Sequence, residues 1–184
     1  MKGLKHIGVF LLILACGTVN AQKFSVSTNA VGYMNLGTLN AEGSWAFARQ
    51  WSLTAGARYN PFTFSIAGKQ VQNRQRAFSA GVRFWPWHVY SGWWVAAKAQ
   101  YQEYNAGGIL SEQAEEGDRW GAGVTAGYTY MIHPKLNMEF GAGFWAGRQK
   151  YSVYDCTSCG ITAENGTKGF ILPNDFIIGI SYVF

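Results

Sequence analysis

Read two residues at a time, the C-terminal segment separates into faces: Phe176, Ile178, Ile180, Tyr182 and Phe184 on one, Asp175, Ile177, Gly179, Ser181 and Val183 on the other. A period of two is the mark of a strand with one apolar face. The pattern recurs upstream. Leu136, Met138, Phe140, Ala142 and Phe144 oppose Asn137, Glu139, Gly141, Gly143 and Trp145, and Trp120 to Tyr130 alternate with Gly121, Gly123, Thr125, Gly127 and Thr129. Trp93 to Tyr101 oppose Lys98, Gln100 and Gln102; Phe78 to Phe84 oppose Ser79, Gly81 and Arg83; Leu53 to Tyr59 oppose Thr54, Gly56 and Arg58. Leu39 to Phe47 and Lys23 to Val31 complete a set of eight, each close to the roughly 9–11 residues that a tilted strand needs to cross lipid.

Connections between these segments are of two kinds. Arg49-Gln50, Trp87 to Gly92 and Ile132 to Lys135 are short, whereas Ser65 to Arg74, Asn105 to Asp118 and Asp155 to Gly169 are longer and more polar; Met34 to Gly37 is a short exception among the latter. Short turns alternating with long loops around an even number of strands describe an outer-membrane barrel with both termini in the periplasm. The expected fold is all-β, an eight-stranded antiparallel transmembrane β-barrel of up-and-down topology. Aromatic residues toward strand ends, Trp51, Trp85, Trp87, Trp93, Trp94, Tyr101, Trp120, Tyr128, Tyr130 and Phe184, suit the two lipid interfaces.

Composition sharpens this picture. The chain is 16% aromatic and only 14% charged, with 23 glycines. A soluble domain is about a quarter charged, so something other than water is expected to cover part of the surface. The alternative, a soluble sandwich or lipocalin-like barrel with the aromatic faces inside, would leave Gly, Ser, Thr and Gln as its outer surface.

The N-terminus explains part of the positive charge. Lys2, Lys5 and His6 precede an apolar run from Ile7 to Ala15 and a Val19-Asn20-Ala21 ending, the form of a cleaved export signal rather than a membrane span. Cleavage after Ala21 leaves residues 22–184 as one barrel domain. A rival reading makes Ile13-Leu14-Ala15-Cys16 a lipoprotein site with Cys16 acylated. Removing the leader removes two lysines from 15 basic residues against 10 acidic, and no cluster remains that would read as a nucleic-acid footprint.

With apolar faces outward, the lumen would receive Glu42, Arg58, Arg83, Lys98, Glu139 and Asp175. Charges enclosed together must pair or stay hydrated. Eight strands leave an interior just wide enough for side chains, so a filled polar lumen is expected, with a narrow ion path as the alternative. Inward glycines at 121, 123, 127, 141, 143, 147 and 179 would relieve crowding in so narrow a barrel.

Candidate chemistry is sparse. A hydrolase needs a nucleophile within reach of a base, and the histidines beyond the leader, His88 and His133, both fall on short turns, with Ser91 near the first. No catalytic residue, cofactor or metal ligand set is assigned. Cys156 and Cys159 form a Cys-x-x-Cys pair, which reads as a local disulfide in an oxidising compartment, against redox and metal alternatives.

Tyr151 to Gly160, then Lys168, Phe170, Pro173 and the closing Ile180-Ser181-Tyr182-Val183-Phe184, resemble the end of a family of bacterial outer-membrane β-barrels described only as a domain of unknown function. Asn29 to Tyr33 and Tyr59 to Phe62 resemble its first and third strands. The resemblance transfers no catalytic residue. Some relatives are encoded beside fimbria-type pilus genes, which implies a non-enzymatic role in surface assembly or anchoring, with outer-membrane lipids, the barrel-insertion machinery and surface or pilus proteins as partners. Ile178, Ile180, Tyr182 and Phe184 would form the insertion signal. A lipid-modifying enzyme of the lipid A deacylase kind, or a narrow channel, is the alternative. The acidic stretch Ser111 to Asp118 departs from the family pattern.

Overall fold

The computed structural model describes residues 23–66, 69–108, 113–155, 162–173 and 175–184. The expected leader, Cys16, Cys156 and Cys159 lie outside them. Ten strands follow one another: β1 (Phe24–Asn29), β2 (Leu39–Ala48), β3 (Trp51–Asn60), β4 (Thr63–Ile66), β5 (Lys69–Phe84), β6 (Gly92–Gly107), β7 (Ala114–His133), β8 (Leu136–Tyr154), β9 (Thr162–Pro173) and β10 (Ile177–Val183). A short helix, α1 (Ala30–Met34), lies between β1 and β2.

All pairings are antiparallel, and they close a ring. β3 and β4 share one position because both pair with β5, and β9 and β10 share another because both pair with β8. The ten strands therefore occupy eight barrel positions. The ring closes where β10 meets β1, from Ser25 opposite Val183 to Asn29 opposite Gly179. Phe184 continues this ladder, its N–H donating to Phe24 O at 2.8 Å.

The apolar faces point outward. Phe78, Val95, Val124, Phe144 and Ile180 are exposed, while Ser52, Thr125, Thr129 and Ser181, each on the opposite face of its strand, are buried. At the end of the barrel that carries Lys23 and Phe184, the turn between β5 and β6 folds inward. Trp85, Val89 and Tyr90 from this turn pack with Trp94 and Val183. Tyr90 holds a left-handed backbone (φ 64°), and its hydroxyl donates to Lys23 O at 3.1 Å. Trp85 and Trp94 thus depart from the expected interfacial role: they are 0% and 1% exposed. Trp94 follows the outward Trp93, and alternation turns it into the lumen.

Three further expectations change. The first strand stops at Asn29 rather than Val31, because α1 begins there, with the Asn29 side chain accepting from Val31 N–H at 3.1 Å. The last strand is not continuous: from Gly141 opposite Ile177 to Phe144 opposite Pro173, β8 advances three residues while its partner advances four. One extra residue is a bulge and exchanges the two faces, so Phe170 packs on Trp145 at 4.5 Å while Asp175 is buried farther along. Third, much of the polar connections is strand. β6 runs to Gly107, β7 starts at Ala114 and β8 reaches Tyr154, so these strands project well past the end of β1. Backbone pairing does not require one apolar face, and both faces of a projecting ladder can be polar.

Candidate functional site

Six barrel positions place one charged side chain each in the lumen. Arg83 of β5 bonds Glu42 of β2 at 2.6 Å and Glu139 of β8 at 3.0 Å. Lys98 of β6 bonds the other oxygen of Glu42 at 2.7 Å and reaches Asp175 at 3.3 Å. Asp175 also pairs with Arg58 of β3 and accepts from Thr125 Oγ1 at 2.8 Å. Charges thus alternate along one chain, Glu139, Arg83, Glu42, Lys98, Asp175, Arg58, with equal numbers of each sign.

The network lies against the aromatic cluster. The Arg83 guanidinium sits 4.0 Å from the centre of the Trp94 ring and 5.5 Å from that of Trp85. Trp94 in turn occupies space left by two glycines that face each other across β7 and β8, Gly127 and Gly141. A cation over an aromatic face gains most where both are withdrawn from water. The pairing partners of Arg83 are among the inward charges legible in the sequence, but its aromatic seat is not.

A cavity of about 500 Å³ surrounds this network in the lumen, and all six charged residues line it. Arg58 and Arg119 line it together with Thr38, Asn40, Gln75 and Gln102. Its wall on one side is unusual. β9 pairs with β8, but no ladder joins its other edge to β1 or β2 among the described residues. Where β1 ends, the Asn29 side chain substitutes for the missing strand: Nδ2 donates to Phe176 O at 2.7 Å, and Oδ1 accepts from Ile178 N–H at 3.1 Å.

A second polar cluster occupies the projecting strands. Glu115 accepts from the Tyr104 hydroxyl at 2.5 Å and lies 3.3 Å from Lys168 and 3.6 Å from Arg119. Burial opposes ionisation of Glu115, but the Tyr104 hydrogen bond and the two cations outweigh it and hold its pKa below the ordinary value of 4.5. Burial and the hydrogen bond to Glu115 push Tyr104 up, keeping the hydroxyl as donor. A carboxylate with a lowered folded pKa stabilises above its unfolded pKa and loses that contribution as pH falls through the folded value. Amide exchange at the β7 and β8 tips, corrected for intrinsic rates, is therefore expected to accelerate as pH falls below about 5, and Glu115→Gln should remove most of that dependence. An unchanged pH profile in the variant would contradict this role.

The histidines and the serine weighed for catalysis meet no such arrangement. His88 Nδ1 lies 3.1 Å from Val89 O, and Ser91 meets His88 through backbone, its N–H donating to His88 O at 3.3 Å. His133 Nδ1 accepts from Lys135 N–H at 3.4 Å. Among the described residues, no three of His, Cys, Asp and Glu gather to hold a metal ion. Ile178, Ile180 and Tyr182 line the outer face of β10 as exposed side chains, and Phe184 packs on Tyr182 at 4.9 Å.

A family model described as "Protein of unknown function (DUF3575)" matches residues 7–184, and the chain belongs to this family. Among solved structures, the outer membrane protein OprG from Pseudomonas aeruginosa is similar, with a TM-score of 0.51, 16% identity, and coverage of 88% of this chain and 92% of that one. This likeness is one of fold. No curated protein matches the chain.

Proposed function

We propose that this chain spans the bacterial outer membrane as a non-enzymatic barrel, with its termini in the periplasm and its projecting strands held outside to anchor or assemble a surface partner. The observation that carries the reading is the contrast between its two faces: an exposed apolar exterior surrounds a lumen lined by paired charges and occupied, at the terminal end, by Trp85, Tyr90 and Trp94. An apolar exterior is what a barrel in lipid requires. Buried aromatic side chains packed across one end of the lumen favour a scaffold over a pore. The projecting ends of β5 to β9 offer the partner a hydrogen-bonded, polar surface. A fimbria-type fibre is the first partner to test, because pilus genes accompany some members of the family that the sequence resembles.

Membrane fractionation with heat-modifiable gel mobility tests the location, and a pull-down with the folded barrel tests the role. Recovery from the soluble fraction would overturn the first, and loss of the locus without any change in surface adhesion or fibre display would overturn the second. Two physical predictions accompany them. Val124 is 59% exposed on the outer face of β7. Because the outer part of β7 projects beyond the membrane, Val124→Arg is expected to lower folding stability in lipid vesicles by less than the roughly 2–4 kcal/mol of an arginine at mid-membrane. A neutral effect would place Val124 outside the hydrocarbon. In planar bilayers the purified barrel is expected to give no steady conductance, and a reproducible open level would favour the channel alternative.

A further inference from the structure

We propose that the gap in the barrel wall between α1 and the β9–β10 bulge is a side entrance to the 500 Å³ cavity, and that it binds a single-chain anionic amphiphile from the surrounding membrane. The proposal rests on the membrane reading above and adds a ligand to it.

Three observations meet at this place. First, the wall is not closed by strand pairing: β1 ends at Asn29, and the Asn29 side chain bridges to the start of β10. An interrupted ladder opens at lower cost than a continuous one, since few hydrogen bonds need to break. Second, the cavity's margin is apolar. Val31, Leu172, Phe176 and Ile177 line it, and α1 has no buried residue, with Tyr33 44% and Met34 85% exposed. Through Phe176 this margin reaches the outward apolar face formed by Ile178 and Ile180, while Ile177 packs inward, so a hydrocarbon chain can lie along it with little contact with water.

Third, the interior offers cations. Arg58 keeps 31% and Arg119 21% of its side-chain area accessible, whereas the acidic groups Asp175 and Glu139 keep only 4% each. Glu42, at 20%, is the more accessible acid, and it is already bonded by both Arg83 and Lys98. Arg58 is itself paired with Asp175 and Arg119 with Glu115, but both guanidinium groups keep more accessible area than Asp175 and Glu139, so they are the groups an anionic head would contact. A carboxylate or phosphate head would take hydrogen bonds from guanidinium groups, which are stronger than those between neutral partners. The volume falls within the range of small-molecule sites. A polar interior joined sideways to an apolar margin fits a head inside and a tail in the gap.

The test uses the full barrel in lipid nanodiscs with a diazirine-bearing myristate, photolysed and mapped by peptide mass spectrometry. The expected result is labelling concentrated on peptides containing Val31 and Leu172, lost on addition of unlabelled myristate and in Leu172→Trp, which fills the margin without touching the charge network. Labelling spread evenly around the exterior, Phe144 included, would overturn the site while leaving the membrane reading intact. No labelling of the exterior at all would overturn both. Competition by myristate, lysophosphatidylglycerol and a neutral monoacylglycerol separates the sources and the charge requirement. Either anionic probe should compete about tenfold better than the neutral one, the effect of one charge-assisted hydrogen bond. Equal competition by the neutral probe would overturn the anionic assignment. Arg119→Gln should reduce the preference for anions while leaving folding, read by heat-modifiable mobility, unchanged.

Discussion

Arg83→Met is expected to lower the barrel's folding stability by about 3–5 kcal/mol, the cost of removing one partner from a buried ion pair. Methionine keeps much of the length of the side chain, so the loss is chiefly electrostatic. Glu139, with 4% of its side chain accessible, would lose its ion-pair partner Arg83, while Glu42 would retain Lys98. The Trp94 ring would also lose the guanidinium that lies 4.0 Å from its centre. Urea unfolding in lipid vesicles measures the effect as a shift in midpoint with little change in slope. Adding Glu139→Gln should restore a large part of the loss, because a neutral amide in that site no longer requires a countercharge. A double variant as unstable as Arg83→Met alone would show that packing on Trp94, not charge, sets the cost.

Gly127→Ala is expected to have the second large effect, preventing folding or weakening it by more than the roughly 1–3 kcal/mol of ordinary overpacking. A methyl group there would overlap both Phe140 O on the facing strand and the Trp94 indole. Neither can easily move, since the carbonyl belongs to the sheet and Trp94 is 1% exposed. Gly141→Ala provides the contrast: its methyl would lie 3.1 Å from Ala126 O and 3.1 Å from Trp94, a tight contact that small shifts relieve. Heat-modifiable mobility after refolding should therefore rank wild type above Gly141→Ala and Gly141→Ala above Gly127→Ala. Trp94→Phe should rescue Gly141→Ala more fully than Gly127→Ala, because the latter keeps its overlap with the Phe140 carbonyl. The reverse ranking would refute this account.

Both predictions depend on residues whose direction is legible in the sequence although their contacts are not. Alternation along Trp93-Trp94-Val95 turns Trp94 inward, yet the frequency of aromatics at strand ends favours the interface for it, and burial decides otherwise. The six inward charges are legible in the same way. Their pairing order is not, because Lys98 and Asp175, or Arg83 and Glu42, come from strands that are not neighbours in the ring. The projecting strands are hard to read for a different reason. Outside an apolar environment both faces can be polar, so the period of two fades although the backbone ladder continues, as at Glu103 opposite Asp118.

Side-chain alternation is a local property, written by the contrast between an apolar exterior and a polar interior, and it is enough to specify the strands, their inward faces and the barrel class. Closure is not local. Where Asn29 gives way to a helix, where one extra residue reverses the faces between β9 and β10, and which opposite charges meet across the lumen all depend on register around the whole ring. Those features were decided only when strands distant in sequence came within hydrogen-bonding distance of one another.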